Sequence, residues 1–153
     1  MSNLNRIIIL DEDNTALSPL VAELLLKELS ENGINQLKVE SVGNVVLFPE
    51  PINPKIEIVA ESYGVFLDKH VARVIDESYF DEGSIVLALD KESKDKAYAN
   101  FPNATNVYTL KEFLGSSGDI RLPIGGRLDE YKTVTDVAKG LIENLVQQLK
   151  EEL

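Results

Sequence analysis

Apolar positions along the chain fall into two kinds of pattern. Continuous runs, "RIIIL" from Arg6 and "SIVLALD" from Ser84, mark strands buried on both faces. "QLKVESVG" alternates and is rich in branched residues, so it predicts a second strand, and "NVYTL" a short further one. Between these lie helical spacings. "LVAELLLKELSENG" puts Leu20, Val21, Leu24, Leu25 and Leu29 on one face; Ser18 is the expected N-cap, Pro19 suits the first turn, and Gly33 closes the helix. "PKIEIVAESYG" predicts a helix ending at Gly64, and "KESKDKAYANF" a charged surface helix. The segment Thr133 to about Leu149 predicts an amphipathic helix facing the core with Val134, Val137, Leu141, Leu145 and Leu149. "NVVLFPEPINP", with Pro49, Pro51 and Pro54, is a loop, and Gly115 to Gly126 is a long one. If Val45, Val46, Leu47 and Phe48 stood on the surface they would form an interaction patch; the expectation is that part of this run tucks into the core. Strands alternating with helices imply a three-layer α/β domain, a parallel sheet flanked by helices. In such a sheet ligands bind beyond the carboxyl ends of the strands, which singles out the loop after the first, central strand.

That loop reads "DEDNTALSP". Asp11, Glu12 and Asp13 stand where a helix N-terminus normally favours an anion. Composition narrows what they can do. The chain has 153 residues, no Cys and one His, His70. Residues 1–153 are expected to form one domain, large enough to fold without disulfides. Thiolate catalysis, Cys-type zinc sites and a His-rich metal site are excluded. A formal charge of −11 disfavours nucleic acid and anionic lipid as partners. No apolar run approaches the ~20 residues that span a bilayer, and "MSNLNR" has no leader pattern. A cytoplasmic protein is expected.

Read in order, the motifs resemble those of the low-molecular-weight protein tyrosine phosphatases, above all their bacterial protein-arginine-phosphatase branch. That family opens with an apolar strand, Cys-x5-Arg-Ser-Pro and a helix; here Asn14, Thr15, Ser18 and Pro19 match within "DEDNTALSP". "SVG" at Ser41–Gly43, "HVAR" at His70–Arg73, "VYTLKEF" and "GDIRLPIGGRLDEYK" follow in the family's order. The resemblance implies a phosphatase-I-like, flavodoxin-like fold with a four-stranded parallel sheet. It also implies that Asp11, Glu12, Asp13, Asn14, Thr15, Ala16, Leu17 and Ser18 form the former phosphate loop. The family's nucleophilic Cys falls on Asp11, its phosphate-clamping Arg on Leu17, and its general-acid Asp on Leu122, just before Pro123. All three catalytic positions are changed. The implied protein has no catalytic residues, needs no cofactor and acts by binding an unidentified protein partner, without nucleic acid or membrane.

Electrostatics point the same way. Two like charges ~4 Å apart cost about 4 kcal/mol at an effective dielectric near 20, so three acids repel phosphate. Two readings of them stay open. Asp11 or Asp13 folds into the phosphate cradle and accepts its N–H groups, or the acids simply complement the helix dipole, worth about 0.3–1 kcal/mol each. A rival resemblance is shorter. "IIILDEDNTAL" also fits the Asp-x-Asp-x-Thr motif of haloacid-dehalogenase-type phosphatases. There Asp11 would be the nucleophile, Asp13 the acid/base, and both would hold Mg²⁺. Ser41, Lys91, Asp90 and Asp95 are its nominated partners. A third reading is an acidic loop that binds a divalent cation without catalysis. Elsewhere, His70 is expected to be a structural hydrogen-bonding residue, Arg73 to pair with loop carboxylates, and Tyr131 to pack.

Overall fold

The computed structural model describes residues 3–152. Four parallel strands form one sheet: β1 (Arg6–Asp11), β2 (Lys38–Gly43), β3 (Ser84–Ala88) and β4 (Val107–Thr109), in the order β2-β1-β3-β4. The helices are α1 (Leu17–Glu31), α2 (Pro54–Ser62), α3 (Lys91–Asn100), a single turn α4 (Leu110–Phe113) and α5 (Leu128–Glu152). A 3-10 turn spans Glu77–Tyr79.

The apolar runs explain the layering. Odd-numbered β1 residues Ile7 and Ile9 join Ile85, Leu87 and the apolar sides of α1, α2 and α5 in one core. Ile8 and Leu10 join Val42, Val86, Val107 and Ala97 of α3 in the other. Strands buried on both faces must be apolar at every position. β1 sits between β2 and β3, so its carboxyl end opens at the centre of the sheet.

Helix ends follow local chemistry. Gly33, at φ +72, terminates α1 with Ile34 N–H donating to Leu29 O at 2.9 Å and Gly33 N–H to Ser30 O at 3.1 Å, a Schellman closure. Asn53 caps α2, its Oδ1 accepting from the N–H groups of Lys55 and Ile56, with Pro54 at the first position.

Four expectations need correction. α5 begins at Leu128 rather than Thr133, and its buried stripe is Tyr131, Thr135, Ala138, Ile142, Leu145, Val146 and Leu149. Val137 faces outward, and Val134 and Leu141 only flank the core. The loop after β2 does not tuck in: Leu47 is 88% exposed and Phe48 60%. The segment that follows is held to the His70–Arg73 stretch instead, by the antiparallel bridge of Pro51 to Val71 and by Ala72 N–H donating to Glu50 O at 2.8 Å. Ser18 is not an N-cap but lies inside the first turn of α1, after Ala16 at the cap. Arg73 pairs with Glu40 at 3.6 Å, not with the loop acids.

Candidate functional site: the loop after β1

Asp11 ends β1 and turns its carboxylate back toward the start of α1. Oδ1 accepts the N–H of Asn14 at 2.9 Å and the hydroxyl of Ser18 at 2.8 Å. Oδ2 accepts the N–H of Ser18 at 3.0 Å. Ala16 offers α1 no side-chain cap and the first turn carries no acid. Asp11 therefore does a cap's work from the preceding strand, satisfying a helix donor that would lack an intrahelical partner. Burial pushes its carboxyl up from 3.8 to about 6, against the lowering effect of the Ser18 hydroxyl and the two N–H groups; Asp13 adds a small upward push.

The neighbouring acids go elsewhere. Glu12 is exposed and both its oxygens lie 2.9 Å from Lys96 Nζ of α3. Asp13 is exposed and curls onto Thr15, whose N–H and hydroxyl donate to its Oδ1 at 3.3 and 3.0 Å. Of the three charges only Asp11 turns into the start of α1.

Asn14 holds the loop. It is fully buried at φ +58, a conformation that Asn tolerates better than other side chains. Its Nδ2 donates to Ser18 Oγ and to Ser41 Oγ, each at 2.9 Å. Its Oδ1 accepts the N–H of Arg73 at 2.9 Å, and its carbonyl lies 2.7 Å from His70 Nε2, which must be the donor. One side chain thus ties the loop to the end of β2 and to the His70–Arg73 segment. Gly43 makes this approach possible. A Cβ there would stand 2.8 Å from the backbone carbon of Asp13 and 2.9 Å from Asn14 N.

Leu17 is 5% exposed and belongs to the main core; Leu122 is half-buried against the same core. After Leu122 the chain makes a turn, with Gly126 N–H donating to Pro123 O at 3.1 Å and Gly125 at φ +64. Lys55 Nζ secures it, 2.7 Å from Gly126 O and above the buried Tyr131 ring. Ile124, at the tip, is fully exposed.

The nominated partners of a metal-dependent site are otherwise engaged. Ser41 accepts from Asn14, Asp90 caps α3 by accepting Ser93 N–H at 2.7 Å, and Lys91 pairs with Asp95. Among the described residues no three His, Cys, Asp or Glu side chains gather where they could hold a metal ion.

A comparison with protein families matches residues 6–153 to the low molecular weight phosphotyrosine protein phosphatases. The chain belongs to this family. A protein-arginine-phosphatase of Bacillus subtilis is 32% identical over 153 residues, covering 95% of this chain and 97% of the relative. Among solved structures, a YwlE mutant from the same organism superposes with a TM-score of 0.89 at 29% identity, covering 95% and 99% of the two chains. A low molecular weight protein tyrosine phosphatase from T. tengcongensis gives 0.87 at 25% identity, covering 94% and 99%. As a member of the low molecular weight phosphatases the chain is unusual in one plain respect: it contains no cysteine.

Asn14 and Gly43 are the residues whose weight the sequence understates. An Asn beside acids reads as a turn former, and nothing local announces partners 27, 56 and 59 positions away. The only available signal was the conjunction of "SVG" and "HVAR" with the loop.

Proposed function

We propose that this chain is a low molecular weight phosphatase relative without phosphatase chemistry, a cytoplasmic protein that acts by binding a protein partner. The binding face is formed by the Asp11–Ser18 loop and the Gly115–Gly126 segment. The observation that carries this reading is the Asp11 carboxylate on the N–H groups of Asn14 and Ser18. Those are donors that a phosphate in the former cradle would need, and an anion of the chain's own already takes them.

The remaining machinery is missing by the same reading. A general acid is worth roughly 10²–10⁴ in rate, and electrostatic stabilisation of the transferring group as much or more. Leucines at positions 17 and 122 supply neither, and such groups act as a unit. The arginine-phosphatase activity named for the Bacillus relative is therefore not carried over. The Mg²⁺-dependent alternative finds no support in the geometry, because both oxygens of Asp11 are engaged by the loop and Asp13 is turned onto Thr15.

The test is an assay on phosphoarginine protein, phosphotyrosine peptide and an aryl phosphate, with and without Mg²⁺. No turnover above background is expected in any arm. Turnover that needs Mg²⁺ and vanishes in Asp11→Asn would overturn the reading.

A further inference from the structure

The sheet has an open edge at β2. Main-chain groups alternate in direction along a strand. Lys38 N–H donates to Asn5 O at 2.9 Å and Asn44 N–H to Asp11 O at 3.0 Å, so even-numbered positions face β1. Gly43 faces away: its N–H donates to Arg73 O at 2.8 Å and its carbonyl accepts Ile75 N–H at 2.9 Å, one rung of a fifth, parallel lane. Val39 and Ser41 turn outward in the same way. Upstream of Arg73, however, the chain leaves that lane. Ala72 donates to Glu50 O, and Val71 bridges to Pro51. Among the described residues nothing pairs with the main-chain N–H and C=O of Val39 and Ser41. These groups line a cleft of about 300 Å³, walled by Ala22 and Glu23 of α1 on one side and by Phe66, Lys69, His70, Val71 and Arg73 on the other.

We propose that this cleft receives an extended segment of a partner protein, which adds to the sheet as a fifth strand beside β2 and bears a basic side chain toward Glu23. The inference rests on the edge of β2 and not on the fate of the Asp11 loop. Donors and acceptors repeating every ~7 Å along a strand are the complement of another main chain, and of little else. The rest of the lining sets the sequence of the guest. Phe66 and Val71 are exposed apolar walls. Of the charges on the lining, Arg73 is paired with Glu40, and Glu23, half-buried on α1, has no salt-bridge partner among the described residues; a guest cation therefore belongs on the α1 side, away from Lys69 on the opposite wall. The chain's formal charge of −11 draws a basic segment and opposes a second copy of itself. Exposed Lys38 at the start of the edge is also a common guard against edge-to-edge pairing of identical sheets.

The experiment is an NMR titration of the ¹⁵N-labelled full chain with an acetylated, amidated hexapeptide of alternating lysine and valine. Its fully N-methylated counterpart, which cannot donate to a ladder, is the control. The amide signals of Val39 and Ser41 should shift saturably and exchange more slowly with solvent. The methylated peptide should bind roughly tenfold more weakly or worse. Glu23→Lys, on a half-exposed helix position, should weaken binding about fivefold with thermal unfolding close to wild type. Unperturbed Val39 and Ser41 signals at millimolar peptide would overturn the proposal. So would equal binding of the methylated peptide, or concentration-dependent dimerisation through the same amides without peptide.

Discussion

Asn14 and Asp11 carry most of the information at the junction, and they do so by opposite means. Asn14 makes two donor and two acceptor contacts beyond its own N–H, and it does so at positive φ. Asn14→Ala should cost about 3 kcal/mol, since the Arg73 N–H and the Ser18 and Ser41 hydroxyls lose a buried partner and alanine is strained there. Asn14→Gly relieves the strain and keeps the loss, so the gap between the two variants in denaturant unfolding measures the backbone contribution. Asp11 is different because its contribution depends on pH. Its folded-state carboxyl titrates near 6 instead of 3.8. A raised carboxyl favours folding while protonated. That stability is complete below pH 3.8 and is lost as pH rises through about 6. Measured against Asp11→Asn, which does not titrate, the wild type should lose about 3 kcal/mol of relative stability between pH 3.5 and 7. A flat difference across that range would mean that the carboxylate is not confined as described. Ser18→Ala should move the Asp11 titration still higher, because the hydroxyl is the largest influence holding it down.

At the scale of elements, legibility followed side-chain type. β1, β3 and α1 were plain in the sequence because most of their buried positions are branched or long aliphatics, and period alone separates strand from helix. α5 was located, with Leu145 and Leu149 on its core face as expected, but its first turns were set wrongly. Its aliphatics at 134 and 137 suggested one face, whereas the core takes Tyr131, Thr135 and Ala138, residues that read as neutral in a hydrophobic count. Thr135 is tolerated there because its hydroxyl donates to Tyr131 O at 2.8 Å. Ala138 is fully buried in the main core, where α5 packs on α1 and α2. The observed stripe makes an element-level prediction. Ile142→Ala, at 1% exposure, should cost about 3 kcal/mol, while Val137→Ala, half exposed, should stay within about 0.5 kcal/mol. The reading from aliphatics alone gives Val137 the larger effect, so denaturant midpoints for the two variants decide between them. The loop acids show the same limit of sequence reasoning. Their clustering was evident, but their divergence was not, because it depends on Lys96 from a helix more than eighty residues away.

At the scale of the whole molecule, the proposed replacement of polar machinery by core residues has a stability consequence as well as a chemical one. Leu17 lies inside the main core and Leu122 against it, and fully burying a leucine is worth about 1.5–3 kcal/mol. On the proposed reading, sites that once faced a phosphate were surrendered to packing, and Asp11 closed the cradle with a charge of the chain's own. That history can be run backwards. The variant Asp11→Cys, Asp13→Gly, Leu17→Arg, Leu122→Asp removes the internal anion and restores a thiol, a clamp and an acid at the positions the family resemblance assigns. Two consequences pull against each other. Without ligand the protein should be less stable by several kcal/mol, because a guanidinium at position 17 lacks a partner where a leucine was packed. With vanadate or phosphate it should recover, since a ligand that binds only the folded state stabilises by RT ln(1 + [L]/Kd), about 2.7 kcal/mol at a hundredfold excess over Kd. Thermal unfolding with and without vanadate reads both at once. The wild type should show no shift, and the fourfold variant should start lower and rise with vanadate concentration. A variant that stays folded and does not respond to vanadate would show that the loop is not a phosphate cradle in disguise, and the Asp11 contacts would then be nothing more than a helix cap.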